Sequence, residues 1–286
     1  MKVDGYYCAV LVLVTTLLSQ SLAFNLNSGR IFRHTRRAIT MASSTEQKDL
    51  SAESSPLLIS LRDKLRADSN IIREGQKACL VLASQSPRRR EILDMMGLAG
   101  LYSCEPPPLD ESSLQKELVQ QNLHPTVYTK KLAEAKAHSL AAKHATKEQN
   151  IDIPVFYLGS DTVVDIEDKI LEKPKDEEDA KQMLRKLSGQ EHQVHTGVAL
   201  YRLSPSCEIS LLSSFTESAH VTFCNLSDID IDAYVASGEP MDKAGSYGIQ
   251  GIGGQMVQNI TGDFFTVMGL PMHQTSKHLA KALKEE

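Results

Sequence analysis

The segment that most constrains this chain is Ala78–Gly97, where a strand, a polar turn and a helix follow one another without a spacer. Ala78 to Ala83 (ACLVLA) is a short apolar run, the pattern of a buried strand. Ser84-Gln-Ser86-Pro87 then turns the chain. Ser86 as N-cap and Pro87 at the first helical position predict a helix that runs to about Met96 and stops at Gly97. In such a unit the first helical amides point into the turn and can hold phosphate. Arg88, Arg89 and Arg90 open the helix, where their charge opposes the helix dipole and a purely structural sequence would carry acids. A phosphate-binding turn and a solvated basic turn are the two readings; the misplaced charge favours the first.

The remainder alternates strands and helices. Leu57, Leu58, Leu61, Leu65 and Ile72 fit one helical face, so residues 46–77 read as a linker ending in a helix that packs on the domain. A long helix is expected near Pro125–His144. A strand over Val155–Leu158 is expected to end at Gly159-Ser160-Asp161-Thr162, with Val163–Ile170 continuing as a strand or hairpin. Asp176–Leu187 reads as a helix with acids first and bases last, closed by Gly189. Strands are expected near Gln193–Arg202 and Ser214–Cys224, then a helix capped by Ser227, a glycine-rich loop over Gly238–Gly254, and a last helix after Gly269-Leu-Pro271. This order argues for an α/β domain with a mixed sheet over residues 78–286.

The N-terminus differs in composition. Cys8–Leu18 is an eleven-residue apolar run broken only by Thr15 and Thr16, behind Lys2 and ahead of small residues ending at Ala23. That is the layout of a signal peptide over residues 1–23, with a buried helix as the plainer alternative. Residues 24–45 hold Arg30, Arg33, Arg36 and Arg37, several Ser and Thr and no acid, which is transit-peptide composition. Together they resemble a bipartite plastid presequence; the secretory route, or a cytoplasmic protein begun at Met41, are the competing destinations. No run is long enough for stable membrane insertion. Residues 46–286 carry 26 basic and 35 acidic groups, a formal net charge of −9, which argues against a binder of nucleic-acid polymers. The five cysteines show no CxxC spacing and read as small apolar residues, with a disulfide left open for a secreted chain.

Three further stretches carry chemistry. Asp161, following a strand, sits where α/β sheets bind ligands and could ligate a metal or orient water; a turn-capping Asp is the plain alternative. In Glu172-Lys173-Pro174, Lys173 could neutralise phosphate or lie on the surface. In Asp242–Gly251 small residues permit close backbone approach, and the Gln250 amide offers both a donor and an acceptor to a base edge. Asp110-Glu111, Glu134 and Lys136 are polar groups nearby in pattern. Carboxylates beside a triphosphate call for Mg²⁺ or Mn²⁺ between them. His192 and His195 read as strand residues and not as a zinc site.

The phrases LASQSPRRREILDMMG (Leu82–Gly97), YTKKLAEAKA (Tyr128–Ala137), GSDTVV (Gly159–Val164), LEKPKDEEDAKQMLRKLSGQEHQVHTGVAL (Leu171–Leu200), YVASGEPMDKAGSYGIQGIGG (Tyr234–Gly254) and GLP (Gly269–Pro271) resemble the Maf family in order and spacing. The resemblance implies an elongated α/β fold like that of inosine triphosphatases, with two lobes around a cleft, and a homodimer. It implies cleavage of nucleoside triphosphates to monophosphate and pyrophosphate with a divalent metal. It makes Asp161 the catalytic base and, with Glu111, a metal ligand. Ser84, Arg88, Arg89, Glu111, Lys136, Thr162, Lys173 and Gln250 would line the substrate, with Arg88, Arg89, Lys136 and Lys173 as its phosphate-binding cations. Arg88, Thr162 and Gln250 match the branch preferring dTTP and UTP; the branch preferring 7-methyl-GTP would show Trp, Gln and Glu there. The rival functional readings are a nucleotide-binding regulator of cell division without essential catalysis, and an inosine triphosphate-type pyrophosphatase.

Overall fold

The computed structural model describes residues 58–66, 76–146, 152–167 and 169–286. The signal and transit-like segments, Met41, Leu57 and Ile72 lie outside the described residues. Among those described, eight strands join in one mixed sheet. They are β1 (Leu65–Arg66), β2 (Ala78–Leu82), β3 (Ser103–Cys104), β4 (Val155–Ile166), β5 (Lys169–Leu171), β6 (Glu191–Leu203), β7 (Ile209–Phe223) and β8 (Val257–Thr261). The helices are α1 (Pro87–Leu93), α2 (Glu111–Gln120), α3 (Pro125–Ala145), α4 (Glu177–Leu187), α5 (Asp228–Ala236), α6 (Phe264–Met268) and α7 (Met272–Glu285). The strand order is β1-β2-β4-β6-β7-β8, with β3 also on β2 and β5 also on β4. Strands β1 to β4 run parallel where they pair; the remaining pairs are antiparallel.

Two features of β4 position everything else. On one edge it pairs with β2 as far as Leu158 and with β5 from Val164 onward, so the sheet opens between them. On one face its alternate side chains change character along the strand. Phe156 and Leu158, with Val198 and Leu200 of β6, join Ile92, Leu93, Leu279 and Leu283 in a first core. Val164 and Ile166, with Val194 and Val221, join Ala180, Leu184, Ile231 and Val235 in a second. Between them, in the same alternation, stand the buried Ser160 and Thr196 and the half-buried Thr162. Two apolar cores separated by a polar belt make two lobes on one sheet. The expected mixed α/β architecture is therefore present.

The opposite face is covered by α3. In its buried stripe Ala133, Ala137, Leu140 and Ala141 pack on Tyr157, Ala199 and Leu203, and Tyr128 and Leu132 pack with Val163 and Leu118. The helix comes so close that a side chain on Gly159 or Gly197 would strike its backbone; a Cβ at Gly197 would lie 2.6 Å from the Lys130 nitrogen.

Several expectations change. Helix α1 begins at Pro87 as expected, but the Ser86 side chain makes no cap bond; the Ser86 amide instead donates to Ser84 Oγ (3.2 Å). The helix expected across Leu58–Leu65 is two 3-10 turns, Leu58–Ser60 and Arg62–Lys64, followed by β1. The free edge of β2 outcompetes helical pairing by offering backbone partners to Leu65 and Arg66, while Leu58 and Leu65 are still buried. Strand β4 does not end at Gly159, because β6 pairs with it from Val155 to Asp165. Cys104 and Cys207 are exposed and not core residues, and none of the four described cysteines is in a disulfide. Helices α2 and α6 and strand β8 carry too weak an apolar pattern to be legible; α2 buries only Leu118. Among the described residues no helix is long and apolar enough to cross a membrane.

Two outcomes follow from the packing. Gly197→Ala should lower Tm by roughly 5–10 °C, the result of ~3 kcal/mol of overpacking against α3, read by thermal unfolding. His192 is buried between Phe223 and Tyr247, with Nε2 2.9 Å from the Tyr247 hydroxyl, and burial pushes its pKa down to about 4. The unfolded chain takes up that proton near pH 6.5 and the folded one refuses it. Stability is therefore lost as pH falls from about 6.5 towards 4, by up to about 3 kcal/mol. Urea titrations across that range should show a shallower pH slope for His192→Gln.

Candidate active site

A cavity of about 450 Å³ lies where β4 leaves β2 and gains β5. This is a switch point of the sheet, where strand partners change and a crevice opens. Arg88, Arg89, Glu111, Lys136, Asp161, Thr162, Lys173 and Gln250 all line it. Ser84 does not; it stands behind Arg89. Asp161 and Thr162, adjacent in β4, point to opposite faces, so the cavity wraps around the open edge of the strand.

On the α3 face the centre is Lys136. Its Nζ donates to Glu111 Oε1 and Asp161 Oδ1, each at 2.7 Å. Lys136 and Asp161 are 6 % and 7 % exposed, which makes this a buried ion pair. Lys136 takes a place in the buried stripe of α3 that an apolar residue would normally hold. Glu111 is the first residue of α2, whose N-cap Asp110 accepts from the Ser113 amide. Burial pushes the Glu111 carboxyl up, but Lys136, Lys173 and Arg89 outweigh it and hold it below the usual range. Glu172 completes the group. The Tyr128 hydroxyl donates to its Oε1, and Gly245 N donates to its carbonyl at 3.1 Å. Burial, with the charges of Asp161 and Glu111, raises the Glu172 carboxyl despite the Tyr128 bond.

On the other face all three nitrogens of Arg89 are bonded, with two of its five protons left for a ligand. Its Nε donates to the Gly269 carbonyl (2.9 Å), Nη1 to Ser84 Oγ (3.1 Å) and Nη2 to Thr162 Oγ1 (3.3 Å). Thr196 Oγ1 donates to the Thr266 carbonyl (2.8 Å) and lies 2.9 Å from Thr162 Oγ1. A guanidinium only donates and a carbonyl only accepts, so Thr162 must donate to Thr196. Burial lowers the pKa of Arg89, opposed by Asp161. The residue remains a cation at any ordinary pH.

The third wall is the glycine-rich loop. It is anchored and not merely flexible: Glu239 Oε1 accepts from the Tyr234 hydroxyl (2.9 Å) and Gly253 N (3.1 Å), and Oε2 from Ile252 N (2.9 Å). Gly245, at φ 64°, fits against Val164, where a Cβ would lie 2.5 Å from Cγ2. From this wall Asp242 reaches Arg88: Nη1 donates to Asp242 Oδ2 at 2.8 Å and Nη2 to its carbonyl at 3.2 Å. Lys243 Nζ donates to Asp242 Oδ1 and to the Glu239 carbonyl, both at 2.6 Å. Gln250 is exposed, and its amide makes no hydrogen bond among the described residues.

Sequence reasoning did not single out Tyr128, Glu172, Glu239, Asp242 or Gln115 for the site. Gln115 lies one helical turn from Glu111 on α2, a helix that the sequence does not mark. Tyr128 was findable, two turns before Lys136 on the same stripe of α3. Nothing local marks Glu239, whose backbone partners Ile252 and Gly253 are thirteen and fourteen residues away.

Chemically the cavity offers one fixed carboxylate beside an ammonium, further cations, and hard oxygen donors. Among the described residues no group of three or more His, Cys, Asp or Glu converges as a metal site, and Lys136 now lies between Glu111 and Asp161. The donor chemistry still fits a hard divalent cation: Glu111, Asp161 and Glu172 line one cavity, and burial together with the negative charge of the other two raises the Glu172 carboxyl.

Fold and site together define an α/β protein with a carboxylate- and cation-lined cleft at a sheet switch point. The family model described as "Maf-like protein" matches residues 79–282. The chain belongs to the Maf family. It is 46 % identical over 206 residues to a dTTP/UTP pyrophosphatase of Shewanella sp. (strain MR-7), covering 71 % of this chain and 97 % of that one. It is 42 % identical over 200 residues to a dTTP/UTP pyrophosphatase of Bacillus pumilus (strain SAFR-032), covering 70 % and 94 %. It is 44 % identical over 209 residues to one of Escherichia coli O6:K15:H31 (strain 536 / UPEC), covering 72 % and 95 %. The Staphylococcus aureus Ham1 protein overlaps weakly, at TM-score 0.31 and 16 % identity over 63 % of this chain and 80 % of that one.

Lys136→Met should leave Glu111 and Asp161 without their shared cation and cost about 3 kcal/mol at pH 7.5. Glu111 is held low in the folded wild type, so its contribution is present above its unfolded pKa and lost as pH falls through the folded one. Urea titrations should therefore show the gap between variant and wild type holding from pH 7.5 to about pH 5 and shrinking below the ordinary glutamate pKa of about 4.3.

Proposed function

We infer that this protein is a nucleoside triphosphate pyrophosphatase that cleaves dTTP and UTP to monophosphate and pyrophosphate. The observation that carries this reading is the gathering of Asp161, Lys136, Arg89 and Lys173 in one cavity from four separate parts of the chain. The names borne by its relatives supply the nucleotides.

The chemistry follows from the charges. Asp161, paired with Lys136, faces the cavity as an oriented acceptor for a proton of water. The water oxygen forms the new bond to phosphorus, its proton goes to the Asp161 carboxylate, and the bridging oxygen leaves with pyrophosphate. Arg89, Lys136 and Lys173 meet the negative charge that grows on the leaving group, in a site where fixed cations need no reorganisation. Glu111, Asp161 and Glu172 are the residues that would hold Mg²⁺ or Mn²⁺. When bound, such an ion supplies charge neutralisation between carboxylates and phosphate oxygens.

The test is product release from dTTP and UTP. Pyrophosphate is expected, with turnover lost on chelation of divalent cations and restored by Mg²⁺ or Mn²⁺. Asp161→Asn should reduce kcat at least ~100-fold. Orthophosphate as sole product, or near-normal turnover by that variant, would sink the reading.

A further inference from the structure

We propose that Thr196 is a positioning residue for Arg89, because it fixes the direction of the line of hydrogen bonds that braces the guanidinium. This rests on the proposed pyrophosphatase reading and adds a residue that reaches the substrate only through others. Thr196 is fully buried and does not line the cavity, whereas Thr162 and Arg89 do.

Thr162 and Thr196 stand directly opposite each other in the β4–β6 ladder, and their hydroxyl oxygens are 2.9 Å apart. Each hydroxyl has one proton to give. Thr196 gives its proton to the Thr266 carbonyl at 2.8 Å, and neither residue is exposed to solvent. Thr196 is therefore left to accept, and the proton it accepts is that of Thr162. With its own proton committed, Thr162 Oγ1 turns a lone pair to Arg89, whose Nη2 donates to it at 3.3 Å. The line runs one way only, from Arg89 through Thr162 and Thr196 to the Thr266 carbonyl.

The line has stiff supports. Branched side chains on a strand have restricted χ1, and the ladder under these two is continuous from Val155 to Asp165. The Thr266 carbonyl belongs to α6, where the N-cap Asp263 accepts from the Phe265 amide (3.2 Å) and from the Thr266 amide (3.1 Å) and hydroxyl (3.0 Å). Arg89 adds its bonds to the Gly269 carbonyl and Ser84 Oγ, which leaves one proton on each terminal nitrogen for phosphoryl oxygens. A long side chain held in this way has little freedom left to lose when substrate arrives. Its charge meets the leaving group without reorganisation. Without an acceptor at position 196 the Thr162 proton is uncommitted, and nothing keeps its lone pair on Arg89.

The experiment measures kcat and KM for UTP by pyrophosphate release, with Tm alongside. The proteins are wild type, Thr196→Val, Thr196→Ser, Thr162→Val and the double variant with valine at both positions. Valine keeps the shape of threonine and lacks the hydroxyl. Thr196→Val should lower kcat at least ~10-fold, because a misplaced donor is felt in the transition state. Thr196→Ser, which restores the hydroxyl, should return kcat to within about threefold of wild type. The double variant should be no slower than Thr162→Val, since residues acting as one line do not add. A near-normal kcat for Thr196→Val would overturn the proposal, as would a serine variant as slow as the valine one. A double variant whose loss is the product of the single losses would overturn it too, because Thr196 would then act on stability or packing and not through Thr162. Wild-type kcat in Thr162→Val would do so whether or not Thr196→Val folds. Failure of wild type to cleave either UTP or dTTP would instead overturn the pyrophosphatase reading, and the proposal with it.

Discussion

The structure turns on one buried ammonium shared by two carboxylates. Lys136 reaches Asp161 on the central strand and Glu111 at the head of α2, and so ties three elements that the chain keeps apart. An unpaired lysine at that depth would be costly, and so would either acid. Each is tolerable only in the presence of the others. The ion cluster therefore fixes how α2 and α3 sit over β4, and it leaves a carboxylate with a defined direction facing the cavity.

That cluster has room because the sheet changes partners beneath it. Between the last residue paired to β2 and the first paired to β5, one edge of β4 lies open. The apolar cores on either side stop where Ser160, Thr162 and Thr196 begin. Hydroxyls there cannot join the cores, so they bond to Arg89 and to the Gly269 and Thr266 carbonyls, which bring the basic start of α1 and the GLP turn to the same place. The polar belt works as a floor on which separate segments meet.

Much of this was legible from residues alone, and the limits are physical. The unit Ala78–Gly97 is marked by a run, a proline and a glycine, all local signals. Lys136 is visible as a charge in an apolar stripe. Asp161 was expected at a strand end and lies within a strand, because pairing with β6 is a long-range event that no local pattern records. The helix expected through Leu58–Leu65 gave way to a free sheet edge for the same reason. Asp242 was read only as the start of the Asp242–Gly251 stretch; its bond to Arg88 spans 154 residues, in a loop anchored by Glu239.

Strands β4 and β6 run without interruption under both lobes, paired residue for residue. A hinge between the lobes would have to shear that ladder, so the floor behaves as a continuous beam. Engulfing a guest then falls to what rests above it: the turn ahead of α1 and the glycine-rich wall, already linked across the gap by Arg88 and Asp242. Adaptation to guests of different size is accordingly a matter of re-roofing, with the foundations left untouched.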